Sequence, residues 1–419
     1  MSKININIGT NPNDGTGDPL RTAYQSLNTM MTEIYLQKNR EYDLNAKVIN
    51  EFDDMYAHES QILIKRVDNT VFLFLMYCQD KTTELEWNLT AKAVLKVYEL
   101  TTLTHLRTFE TFYPGLTAGI TMPAGEEICC PRGYFVGTTI RMFCCNTGTL
   151  YQREIDISND NYAAWTISDL SITQMTMKNA IGIDVLRDVI SANIQVHLEF
   201  VLGDAYAGYA NLMPMFRNLV PAVSGANWYA NLQFSGERSH LLPAPCICVT
   251  STDSGNTWKF GSIVGYTTSN RIEVIEPSII FLGTNLHIIN RTSTTSIAHY
   301  LSIDNGVTWV AQTDIPLNTR AAKPCAINYL DPIGTQKNVM AIQLSSEITN
   351  DASRTTLGIY TTTDFITFTE IAKIIIASDA HYPSLRYFAK SLYLSYTKGM
   401  KDDTNPYNDR DTIAITRIF

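Results

Sequence analysis

The chain has 419 residues, 45% hydrophobic and 17% charged, with a formal net charge of −9 and a pI near 5.3. That balance supplies a large core and excludes a disordered or fibrous chain. An acidic surface without a Lys/Arg run argues against nucleic acid as partner. The lack of an 18-residue apolar stretch, or of a cationic start joined to an apolar one, argues against a membrane span and for synthesis in the cytoplasm.

Residues 4 to 19 concentrate Gly, Asp, Asn and Pro, the chemistry of a loop. Asp18 then stands as N-cap before Pro19, a residue suited to the first helical position. Leu20, Ala23, Tyr24, Leu27, Met30, Met31 and Ile34 follow at three- and four-residue intervals, predicting a helix of about four turns with one apolar stripe. The stripe fits either packing on the following domain or docking on a partner or on copies of itself. Asn7-Ile8-Gly9-Thr10 and Asn13-Asp14-Gly15-Thr16-Gly17-Asp18-Pro19-Leu20-Arg21-Thr22-Ala23 closely resemble a segment that opens many bacteriophage structural proteins. The resemblance covers about a tenth of the chain. It implies a place in the virion, attached to tail or head–tail connector proteins through a face carrying Leu20, Leu27, Met31 and Ile34, with a homo-oligomer as the expected assembly.

Beyond residue 45 the pattern changes to short runs of Ile, Val, Thr, Tyr and Phe between polar turns, which predicts an all-β domain over 46–419 after the attachment segment 1–45. An internal repeat stands out. Ser251-Thr-Asp253-Ser-Gly255-Asn-Thr257-Trp258 and Ser302-Ile-Asp304-Asn-Gly306-Val-Thr308-Trp309 share S-x-D-x-G-x-T-W, and Thr362-Thr-Asp364-Phe-Ile-Thr367-Phe368 is a shortened third copy. In such a motif Asp accepts backbone N–H groups in a tight turn, Gly permits positive φ and the aromatic ring fills space beside the next strand. The aspartates lie 51 and 60 residues apart (253 to 304, 304 to 364), a period that suits four-stranded propeller blades better than a sandwich.

These boxes resemble the Asp boxes of sialidase-like propellers, which implies six blades. Strand groups are expected at 58–112, 130–170, 190–262, 275–312, 325–372 and 382–417, with extra material between 178 and 230. In that family the boxes are structural and lie away from the catalytic face. The resemblance also implies a retaining glycosidase site with a Tyr nucleophile activated by Glu, and arginines that grip the substrate carboxylate. Here Tyr382, within Tyr382-Pro-Ser-Leu-Arg, matches the nucleophile segment, and Glu276, within Glu276-Pro-Ser-Ile-Ile-Phe-Leu, matches the activating Glu. Arg291 and Arg354 match two carboxylate-binding arginines. The family's first-blade Arg-Ile-Pro is replaced by His58-Glu59-Ser60-Gln61, leaving the triad incomplete; Arg132 after Pro131 is an available substitute and Asp80 an available acid.

Other chemistry is absent from the pattern. No Walker loop, GxSxG, HExxH or paired CxxC occurs, and no metal or cofactor is expected. The eight cysteines, including Cys129/Cys130, Cys144/Cys145, Cys246 and Cys248, are expected as reduced, strand-borne small hydrophobes. His287, His299 and His381 read as satisfied strand histidines. Two functions follow: a particle component whose propeller touches host glycans, the favoured reading, or a particle-borne exo-glycosidase of acidic sugars.

Overall fold

The computed structural model describes residues 47–48, 56–80, 91–113, 116, 129–146, 149–169, 177–178, 184–185, 213–215, 222–235, 246–254, 258–264, 275–292, 296–317, 319, 322–330, 336–344, 355–375, 380–400 and 410–418. The loop and helix expected near Leu20, Leu27, Met31 and Ile34 lie outside these residues.

The described strands form six sheets arranged as the blades of a β-propeller. Blade 1 is a meander from Tyr56–Val67 through Thr70–Asp80 and Lys92–Glu99 to Thr104–Phe112. Blade 2 spans Cys129–Val136 to Ile167–Asp169, blade 4 Ile275–Leu282 to Val310–Ala311, and blade 5 Cys325–Leu330 to Thr369–Ile375. Blade 6 begins at Ala380–Phe388, the innermost strand, and ends at Arg410–Arg417. Its fourth strand is Lys47–Val48, which pairs antiparallel with Ile415 and Ala414 and so closes the ring with residues from before blade 1.

Blade strands bury both faces, which explains their nearly unbroken apolar runs. In blade 1, Leu63, Phe72, Phe74 and Met76 pack toward blade 2, while Ile62, Ile64, Leu73, Leu75 and Tyr77 pack toward blade 6. Further clusters join blades 5 and 6, 3 and 4, and 4 and 5. Alternation therefore sorts side chains between two neighbouring blades rather than between core and water. Polar stitches run beside this packing. Gln61 donates to Gly133 O (3.1 Å) and accepts from Gly133 N (2.8 Å), Ser278 Oγ accepts from Ala326 N (3.1 Å), and Ile62 N donates to Ser384 Oγ (3.3 Å).

Blade 3 holds more strands than the four expected over 190–262. Its described inner strands are Met213–Met215 and Ala222–Ser224, both paired to Asn227–Ser235, and its outer edge is extended by Met177–Lys178, parallel to Trp258–Val264. The extra material expected between 178 and 230 coincides with this region, where the described residues are 184–185, 213–215 and 222–230 and the short strands Met213–Met215 and Ala222–Ser224 both pair with Asn227–Ser235.

The Asp boxes are the turns between third and fourth strands. Asp304 Oδ1 accepts from Ser302 Oγ (2.7 Å) and Thr308 N (2.8 Å); Asp364 Oδ1 accepts from Ile366 N (2.8 Å) and Thr367 N (2.7 Å). Asp253 Oδ1 accepts from Ser251 Oγ at 2.7 Å. Positive φ falls on the residue after each Asp: Ser254 (58°), Asn305 (59°) and Phe365 (58°). Gly306 adds a second positive φ (82°), and a Cβ there would sit 3.0 Å from Cys248 Sγ. Gly255 and the Trp258 side chain lie outside the described residues, while Trp309 packs on the blade 3–4 cluster and Phe368 on that between blades 4 and 5. Blade 2 has a counterpart that the repeat did not reveal: Asp156 Oδ1 caps Ser158 N (2.9 Å), and buried Trp165 lies 5.0 Å from Phe72 and 5.9 Å from Phe74.

Candidate functional site

Four blades open their inner strands in the same way. A β-bulge interrupts pairing at Glu59-Ser60, Cys130-Pro131, Glu276-Pro277 and Tyr382-Pro383. Lys323-Pro324 immediately precedes the inner strand of blade 5. Proline suits a bulge because it brings no N–H to leave unpaired. Glu276 (φ 52°) and Tyr382 (φ 53°) are held in the left-handed region although each precedes proline, which disfavours helical backbone. Strain of this kind persists only where surrounding structure imposes it, and here it turns both side chains out of the regular pleat at equivalent registers of blades 4 and 6.

The residues around that channel mouth carry mixed charge. Glu276 is almost fully buried, and its Oε2 pairs with Arg291 Nη1 at 3.3 Å, Arg291 coming from the end of the adjacent strand Asn285–Arg291. Arg291 Nε and Asn290 Oδ1 are buried without a hydrogen-bond partner among the described residues, and Asn290 Nδ2 donates to Arg291 O (2.9 Å). Tyr382, largely buried, carries Lys323 Nζ 5.5 Å from its ring centroid and His381 edge-on at 5.0 Å. Among the described residues its hydroxyl makes no hydrogen bond to Glu276.

Lys323 and Arg132 are both buried. Burial pushes the Cys325 thiol up, opposed by the Leu385 N–H bonded to it and by the positive charges of Lys323 and Arg132. Arg132 follows the bulge of blade 2 and Lys323 directly precedes the inner strand of blade 5, so both stand at the starts of inner strands. Among the described residues, the starts of the inner strands carry Arg132, Lys323, Glu276 and Tyr382, with Arg291 paired to Glu276 and Lys323 lying over the Tyr382 ring. Such an arrangement can hold an anion by charge-assisted hydrogen bonds in a partly desolvated setting.

Of the residues expected from sequence, Glu276 and Arg291 are in contact and Tyr382 begins the inner strand two blades on. Arg354 and the side chains of His58, Glu59 and Asp80 lie outside the described residues. Lys323 escaped the sequence reading because Arg was sought; its signal was the Lys323-Pro324 dipeptide, matching Glu276-Pro277 and Tyr382-Pro383. Among the described residues no group of three or more His, Cys, Asp or Glu is arranged for a metal, and no helix is long and apolar enough to cross a membrane. Cys78, Cys144, Cys246, Cys248 and Cys325 are buried free thiols.

No family model matches the chain, and no curated protein matches it. Solved structures do. Trypanosoma rangeli sialidase in complex with sialic acid superposes with a TM-score of 0.60 at 15% identity, covering 87% of this chain and 54% of that one. A mutant of the same enzyme displaying trans-sialidase activity gives 0.59 at 15% identity and the same coverage, and a Hadza microbial sialidase gives 0.57 at 11%, covering 86% and 65%. The chain spans about half the length of the trypanosomal sialidases that it matches. With the blade order described above, these likenesses establish its architecture: a sialidase-like six-bladed β-propeller.

Proposed function

We propose that the chain is a component of a bacteriophage particle, a tail, fibre or collar appendage, docked through its N-terminal segment and presenting the propeller for adhesion to an acidic host glycan. The opening motif supports the particle, and the cationic mouth supports the ligand. The observation that carries the glycan reading is Lys323 Nζ lying 5.5 Å from the Tyr382 ring; buried Arg132 behind the matching bulge of blade 2, and Arg291 on Glu276, supply further cations at inner-strand starts. A solved neighbour binds sialic acid on this fold. Adhesion is favoured over turnover because Glu276 is engaged with Arg291 rather than hydrogen-bonded to the Tyr382 phenol, the contact that would activate a poor nucleophile.

The test is titration of the full chain with 3′-sialyllactose and with lactose, alongside a fluorogenic sialoside assay. Binding of the acidic sugar alone, weakened about tenfold by Lys323→Gln and without turnover, is the expected result. Equal affinity for lactose would remove the acidic-glycan reading. Turnover abolished by Tyr382→Phe would replace adhesion by the second reading, a virion-borne exo-glycosidase, which the shared strained backbone of Glu276 and Tyr382 favours. For the particle, mass spectrometry of purified virions should find the chain, and its absence there would remove the virion reading.

A further inference from the structure

The channel has a second end. The inner strands of blades 4, 5 and 6 run from Ile275, Cys325 and Ala380 to Leu282, Leu330 and Phe388. Residues five positions beyond Glu276 and Tyr382 therefore lie roughly 17 Å from them, on the side that carries the Asp-box turns. A cavity of about 320 Å³ opens there among Phe281, Ile327, Asn328, Gln336, Arg386 and Tyr387, with the half-exposed Val223 of blade 3 at its edge.

Among the described residues its lining holds one cation, Arg386, and no carboxylate. Asn328 is already engaged: its Oδ1 accepts from Phe281 N (3.1 Å), and its Nδ2 donates to Phe281 O and to Asn338 Oδ1. Arg386 has no hydrogen bond or ion pair among the described residues. Desolvation pulls its guanidinium below the ordinary value even though part of the side chain reaches solvent at the cavity. A desolvated guanidinium without a counter-charge is costly, and an anion placed against it restores both charge balance and hydrogen bonds. The planar fork matches a carboxylate, Gln336 adds a further polar group to the lining, and Phe281, Ile327 and Tyr387 offer apolar walls.

We propose that this cavity is a second binding site, for a small carboxylate with an apolar body, in which Arg386 takes the carboxylate and the ring and aliphatic walls take the remainder. It is separate from the glycan mouth and stands whether or not that reading holds.

The experiment is calorimetric titration of the full chain with benzoate, using benzamide as the uncharged comparison. Benzoate should bind and raise the melting temperature, benzamide should do neither, and Arg386→Gln should weaken benzoate about tenfold or more. Val223→Glu, on a half-exposed residue whose change leaves the core intact, places a competing carboxylate at the edge and should weaken benzoate similarly; it serves if Arg386→Gln does not fold. Equal binding of benzamide, no binding of benzoate by the unmodified chain, or benzoate affinity unchanged in Val223→Glu would each overturn the site.

Discussion

His287 and His299 face one another across adjacent strands, Nδ1 to Nε2 at 2.8 Å, and Phe365 from the third box stacks on the His287 ring at 4.8 Å and lies tilted against His299 at 5.0 Å. All three are buried between blades 4 and 5. Burial holds each imidazole down at about 4, well below the ordinary 6.5, and the charge of one disfavours charging the other. The unfolded chain thus takes up protons first as pH falls. The pair contributes fully above about pH 6.5, and that contribution is lost progressively until about pH 4. The cost to stability is a few kcal/mol. Urea unfolding at pH 7 and pH 4.5 should show this loss, and His287→Leu with His299→Leu should flatten it; an unchanged pH profile in the double variant would refute the assignment. The sequence identified the histidines as satisfied strand residues, but Phe365, which covers them, carries no signal in the box, where the aromatic expected to pack is Phe368.

At the scale of elements, the boxes were legible because a carboxylate turn demands a fixed order of residue types. Their spacing gave most blade ranges to within a few residues. What the motif did not convey was the division of labour inside it: the left-handed backbone belongs first to the residue after Asp, so the third copy folds without glycine. Blade 1 reaches the same end with Glu99, whose carboxylate accepts from Thr101 N and Thr102 N and is drawn down to about 2, chiefly by the Thr102 hydroxyl. Asp304→Ala removes bonds from Ser302 Oγ, Thr308 N and Thr308 Oγ1. It should cost about 1–2 kcal/mol in chemical unfolding while leaving ligand titrations at both channel ends unchanged. A loss of glycan binding at unchanged stability would mean that the box belongs to the binding surface. Blade 3 was the least legible because strands as short as Met213–Met215 and Ala222–Ser224 carry too few residues for alternation to register.

For the whole molecule, the ring is held by interfaces between successive blades and by one closure. Two residues, Lys47 and Val48, have no periodicity of their own, so their pairing with Ala414 and Ile415 could not be foreseen from pattern. Val48→Pro should open that edge, and hydrogen exchange of the amides in Arg410–Arg417 should accelerate about tenfold or more while blade 3 is unaffected. Uniform acceleration across all blades would indicate that closure governs global rather than local stability. The sites at the two channel ends were half legible: Glu276, Arg291 and Tyr382 at the mouth stand out as chemistry, whereas Lys323 there and Arg386 at the far end are ordinary letters until the closed ring sets them beside an aromatic ring or an apolar cavity.

The clasp at Lys47–Val48 lies on the outermost strand of its blade, so the 46 residues that precede it join the disc at the rim. Tension applied to the chain ahead of Lys47 would be borne first by a two-residue seam, peeling from the perimeter before any load reached the hub.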